Sequence, residues 1–154
     1  MSDTCMNHIE NHWKALTIST NDYFNKGNFE KALAGYKDAF YRAEILNSHI
    51  PDCTRLNIPF VQVYIISCNN LANTYEELGK NEEAENMLKR VIYYLLHLAG
   101  NSILNTDQIQ PELKKAAVTY IHFTEKKNKG KVKQEKLFTL LKEQLLEKKN
   151  ISIN

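Results

Sequence analysis

Apolar residues recur along most of the chain at steps of three and four, the signature of helices that bury one face. Trp13, Leu16, Thr20, Tyr23 and Phe24 form the first stripe. Lys26-Gly27-Asn28 interrupts it: Gly27 suits the left-handed position that follows a helix, and Asn28 is a residue type that caps the next one. The stripe resumes at Phe29 and continues through Ala32, Leu33, Tyr36, Ala39 and Ala43 to about His49. Pro51 and Pro59 predict a break, because proline fits poorly inside a helix. A long helix is expected from near Asn57 to Leu78, ended by Gly79, and another from Asn81 to Leu98. The stretch 100–110, rich in Asn, Ser, Thr and Asp, predicts the longest loop. Pro111 suits the first turn of a helix reaching about Lys127. Beyond Gly130, Leu137, Leu141 and Leu145 recur at four-residue steps within 133–149. No stretch alternates with period two. The expectation is an all-α fold of about six helices in three antiparallel hairpins, at about 8–49, 57–99 and 111–149 of a single domain spanning 1–154.

The chain also repeats itself. Aligning Gly27 with Gly79 sets Tyr23 over Tyr75 and Ala32 over Ala84, with Trp13 and Leu16 answering Ile65 and Cys68, and Tyr36 and Ala39 answering Leu88 and Val91. A large residue four before the turn is expected to pack across the hairpin. A small one five after it lets the second helix come close. Such a hairpin has an apolar face left over and needs a stacked neighbour to bury it. This spacing resembles the tetratricopeptide repeat, a 34-residue helix-turn-helix. Two units match, over roughly half the chain. Successive turn glycines are 52 and 51 residues apart, however, and the last unit has Lys126 and Glu135 at the Tyr and Ala positions. It reads as a divergent hairpin that caps the stack.

The resemblance implies a right-handed superhelix whose concave groove, lined by the first helix of each hairpin, binds a protein or peptide partner. In one variant of the family, Lys, Asn and Arg side chains from three repeats clamp a terminal carboxylate. Asn21 and Asn70 fall on the two Asn positions, but Thr17 stands at the first Lys position, and Ala117 and Ile121 replace the last cations. The groove residues are therefore expected to act through amides. Asn21, Asn69, Asn70 and Asn73 are the candidate peptide-binding residues, since an amide can both donate to and accept from an extended backbone.

Composition narrows this reading. Of 154 residues, 43% are hydrophobic and 25% charged, as in soluble globular chains, while Gly (5) and Pro (3) are too few for a turn-rich sheet protein. Cys5, Cys53 and Cys68 are an odd number without metal or redox spacing, which fits a reducing compartment. No signal-like segment opens the sequence, and its most apolar run, 58–68, is about half a membrane span. A cytoplasmic protein without a membrane segment is expected, as a monomer or homodimer.

The net charge of +2 hides an asymmetry: residues 1–111 hold 9 Lys+Arg and 13 Asp+Glu, whereas 112–154 hold 11 and 5. Lys126, Lys127, Lys129, Lys131 and Lys133 form a basic patch that offers an alternative reading, nucleic-acid association. All three arginines (Arg42, Arg55, Arg90) lie outside it. Arginine supplies the bidentate contacts that read bases and phosphates, so a solvated cap is favoured. A small chaperone of tetratricopeptide type is a further alternative, though such chaperones are usually acidic.

No nucleophile is paired with an activating base, and no phosphate loop or carboxylate pair stands out. The expectation is a protein that is not an enzyme and needs no cofactor. Cys68 reads as a core residue, with Cys5 in a tail and Cys53 in a loop. His8 and His12 stand four apart, without the order of a zinc peptidase, and read as exposed residues of a fraying helix end; no metal is assigned. Tyr64, Tyr93, Tyr94 and Phe123 are aromatic residues whose side the pattern does not decide.

Overall fold

The computed structural model describes residues 1–101, 106–127, 139–141 and 143–144. Six helices run in chain order: α1 (Asp3–Asn25), α2 (Phe29–Asn47), α3 (Ile50–Arg55), α4 (Phe60–Glu77), α5 (Asn81–Gly100) and α6 (Thr106–Lys126). Residues 139–141 and 143–144 are helical as well, and no strand occurs among the described residues. None of the described helices is long and apolar enough to cross a membrane. The chain forms two compact units, Met1–Met87 and Leu88–Asn154, the division falling within α5.

The first unit is built by one turn used repeatedly. After α1, the Asn28 N–H reaches the Tyr23 carbonyl (2.9 Å) and the Gly27 N–H reaches Phe24 (3.0 Å). After α4, Lys80 reaches Tyr75 (2.8 Å) and Gly79 reaches Glu76 (3.0 Å) at the same offsets. These paired bonds satisfy the last carbonyls of each helix, and they require a left-handed residue, met by Gly27 (φ 78°) and Gly79 (φ 75°). The aligned glycines thus mark two copies of one local structure. A third copy closes α3, where Asn57 takes the left-handed place at φ 56° and the Ile58 N–H reaches Cys53. Asn28 sits at the start of α2, but its side chain makes no capping bond, contrary to expectation. Its backbone N–H is instead engaged by the turn.

Helix α1 buries Met6, Trp13, Thr17 and Thr20, and α2 buries Ala32, Leu33, Tyr36, Ala39, Ala43 and Leu46. The two approach very closely at Thr20. A Cβ built on Gly35 falls 2.8 Å from Thr20 Cγ2, so only hydrogen fits there. Phe24, Phe29 and Tyr36 cluster at the turn end, with ring centres 5.2 and 6.4 Å from Phe24. Tyr23, expected to pack across the hairpin, is 41% exposed instead, with Lys31 Nζ 5.5 Å from its ring centre. On α2, Phe40 meets Tyr64 of α4 at 5.6 Å.

The proline-bracketed break contains a helix. Pro51 lies in the first turn of α3, where a missing N–H is harmless, and α4 starts only after Pro59, at Phe60 rather than near Asn57. Cys53 belongs to this helix and is fully buried, not in a loop. The N-terminal end of α1 is tied down rather than frayed. Ser2 Oγ accepts from the Cys5 N–H, Met6 is fully buried, and the Arg55 guanidinium donates to both oxygens of Asp3 at 2.7 and 3.0 Å.

In the second unit, α5 buries Leu88, Val91, Ile92, Leu95 and Leu98 at helical spacing. Helix α6 begins at Thr106, so Pro111 lies inside it rather than in its first turn. The earlier start brings Ile109 into the buried stripe with Leu113, Tyr120 and Phe123. Leu141 is buried too.

Overpacking a core costs about 1–3 kcal/mol, while the helix preference of Ala over Gly returns about 1 kcal/mol. Gly35→Ala should therefore destabilise the protein in denaturant unfolding of the full chain. In a Thr20→Ala background the same substitution should become neutral or stabilising. An equal cost in both backgrounds would show that the close approach is not the cause.

Candidate functional site

A buried hydrogen bond links α1 to α4: Trp13 Nε1 donates to Ser67 Oγ at 2.8 Å, and that hydroxyl donates to the Val63 carbonyl at 2.8 Å. The indole thereby fixes which turn of α1 faces which turn of α4. One turn beyond Trp13, the Thr17 hydroxyl is buried with no partner among the described residues. One turn beyond Ser67, the Asn70 carbonyl accepts from Thr74 Oγ1 at 2.7 Å.

The buried residues of α4 cover more than half of its circumference. At about 100° per residue, Ile66, Asn69, Asn70, Asn73 and Glu77 share the remainder. Asn69 and Asn70 are half-buried and Asn73 is exposed. Among the described residues, none of these three amides is hydrogen-bonded to the protein. Three of the four candidate peptide-binding residues thus stand together on one helix face.

The fourth is placed differently. Asn21 lies on α1, and its Oδ1 accepts a hydrogen bond from the Tyr36 hydroxyl. Burial pushes the Tyr36 phenol up from its ordinary value, which keeps the donating proton in place. Asn21 is therefore a tether between α1 and α2, though the residue is exposed.

Two exposed isoleucines escape a sequence reading. Ile18 of α1 is 71% exposed and Ile66 of α4 is 40% exposed. Each lies off the buried stripe of its helix. That phase is the signal by which they can be found. Among the undecided aromatics, Tyr64, Tyr94 and Phe123 are buried, while Tyr93 is 52% exposed. They form no exposed cluster.

Of the basic patch, Lys126 ends α6 and is exposed, and Lys127 Nζ stands 5.9 Å from the Phe123 ring centre. Lys129, Lys131 and Lys133 lie outside the described residues.

None of the three cysteines is in a disulfide; Cys5 is exposed and the other two are buried. Cys53 Sγ donates to the Leu46 carbonyl at 3.2 Å. Burial, followed by the nearby carboxylates of Asp52 and Glu10, pushes its thiol up from 9.0 to about 11. A thiol that holds its proton so firmly is a poor nucleophile at neutral pH.

An all-helical chain with an amide-rich outer face on α4 is the class these features define. The chain belongs to the family described as a protein of unknown function, DUF2753, whose model matches residues 11–144. No curated protein and no solved structure matches it.

A chromogenic thiol reagent should modify Cys5 alone in the native protein, with Cys53 and Cys68 reacting only on unfolding. Because the folded Cys53 thiol keeps its proton longer than the unfolded one, its contribution to stability is full below pH 9.0. It should fall as pH rises toward about 11. A Cys53→Ala chain should lack that part of the alkaline decline in melting temperature.

Proposed function

We propose that the protein is a non-enzymatic interaction module of tetratricopeptide-like architecture, which holds an extended partner segment against the exposed face of α4 and the neighbouring edge of α1. The observation that carries this reading is the trio of amides at Asn69, Asn70 and Asn73, set around the exposed side chain of Ile66. Amides at three- and four-residue steps can donate to and accept from a peptide backbone without demanding a particular sequence. Ile66, with Ile18 on α1, offers apolar surface to one or two partner side chains. The two identical glycine turns support the repeat architecture, and three cysteines without a disulfide suit a reducing compartment such as the cytoplasm. A small chaperone would use the same face. No separate observation favours nucleic acid.

Selection of a displayed random-peptide library on the immobilised full chain would supply a defined ligand, whose affinity is then measured by calorimetry. A neutral hydrogen bond contributes about 1 kcal/mol, so Asn69→Ala/Asn73→Ala should weaken binding by roughly tenfold or more. Tyr41→Ala, an exposed change on α2, should leave it unaltered. Equal affinity in the amide variant and the parent chain would remove the assignment.

A further inference from the structure

The first turns of α1 carry a pair of histidines that the interaction reading does not use. His8 and His12 are both exposed, and their rings meet edge to face with centres 6.0 Å apart. Neither is hydrogen-bonded to the protein among the described residues, whereas His49 Nδ1 lies 3.0 Å from the Ile45 carbonyl and His97 Nε2 lies 2.9 Å from Asn101 Nδ2. The first turns of a helix ordinarily fray, and a loose pair of histidines is a poor chelate. Here the turns are held from three sides: Ser2 caps the helix, Met6 is fully buried, and Arg55 grips Asp3 through two N–H groups. The entropy of bringing two imidazoles one turn apart has already been met by folding.

The spacing fits a shared ion. A zinc–nitrogen bond of about 2.0–2.1 Å places each ring centre roughly 3 Å from the metal, so two rings on one tetrahedral ion have centres about 5 Å apart. The observed separation is about 1 Å longer, and a small side-chain rotation at two exposed residues closes that gap.

We propose that His8 and His12 form a surface chelate for a divalent late transition-metal ion, zinc being the probe of choice because it has no redox chemistry with the exposed thiol of Cys5. Imidazole nitrogen is a preferred donor for such ions. Among the described residues no third His, Cys, Asp or Glu is gathered with the pair. Water completes the coordination sphere, and the ion remains open to a donor from another molecule. Because the helix is folded without metal, binding leaves the helical content unchanged. It raises the melting temperature through preference for the folded state.

Calorimetric titration of the full chain with zinc should give one ion per chain, together with a zinc-dependent rise in melting temperature. His8→Ala and His12→Ala should each lose both effects while melting like the parent in the presence of chelator. Cys5→Ser should keep them. The proposal is overturned if the full chain takes up no zinc at micromolar concentration. It is equally overturned if the histidine variants bind as the parent does, or if Cys5→Ser alone removes binding.

Discussion

The close approach of α1 to α2 at Gly35 and Thr20 is the constraint on which the described site rests. A helix pair that packs side chain on side chain can slide by a fraction of a turn at small cost. A pair in which a branched side chain sits where a Cβ would otherwise stand has one permitted register. That register aims the Tyr36 hydroxyl at Asn21 and gathers Phe24, Phe29 and Tyr36 into one cluster. It also leaves the remaining flank of α1 free to present Trp13 to Ser67. Helix α4 then packs against α2, where Phe40 meets Tyr64, so the place of the amide face depends on where α2 is held.

Polar groups then specify what apolar packing leaves open. Trp13 and Ser67 are buried residues on different helices, and separating them would strand an indole N–H away from water, a loss of about 1–3 kcal/mol. A sliding α4 would break that bond before it altered much buried area. The Arg55 grip on Asp3 is different in kind. Both side chains are solvent-exposed, so it adds little to overall stability, but it sets where the first turn of α1 lies relative to α3. Arg55 also holds the Asp3 carboxyl below its ordinary value, so the contact persists through neutral pH and is lost only as acid protonates Asp3.

Much of this was legible in the sequence, for a definite reason. Helical stripes and left-handed glycines are local properties, and the matching offsets around Gly27 and Gly79 turned out to be matching hydrogen-bonded turns. What escaped was decided by tertiary partners. Pro51 marked a break from propensity alone, yet a helix starting there lets Cys53 reach the Leu46 carbonyl. Pro111 looked like a helix start, but burial of Ile109 extends α6 backward past it. Tyr23 and Asn21 illustrate the limit best. Both lie at repeat positions with an expected role; the structure exposes the tyrosine beside Lys31 and ties the asparagine to Tyr36. A residue's type shows what it can bond, and only the fold decides with what.

The same distinction bears on the kind of partner the α4 face suits. A site that grips a terminal carboxylate needs cations aimed at it, and Thr17, at the corresponding place on α1, has a buried hydroxyl without a partner. An anion arriving there would lose its hydration and gain no opposite charge, an unfavourable exchange. Neutral amides carry no such requirement. On the proposed reading they trade hydrogen bonds with water for hydrogen bonds with a peptide backbone at nearly equal enthalpy, so affinity would come from apolar contact at Ile66 and Ile18 and from the rigidity of the helices. If the face binds as proposed, its composition favours an internal, extended stretch of a partner chain over its charged end. On the proposed reading, selectivity resides in which side chains can settle over the two isoleucines, while the asparagines hold the backbone in register.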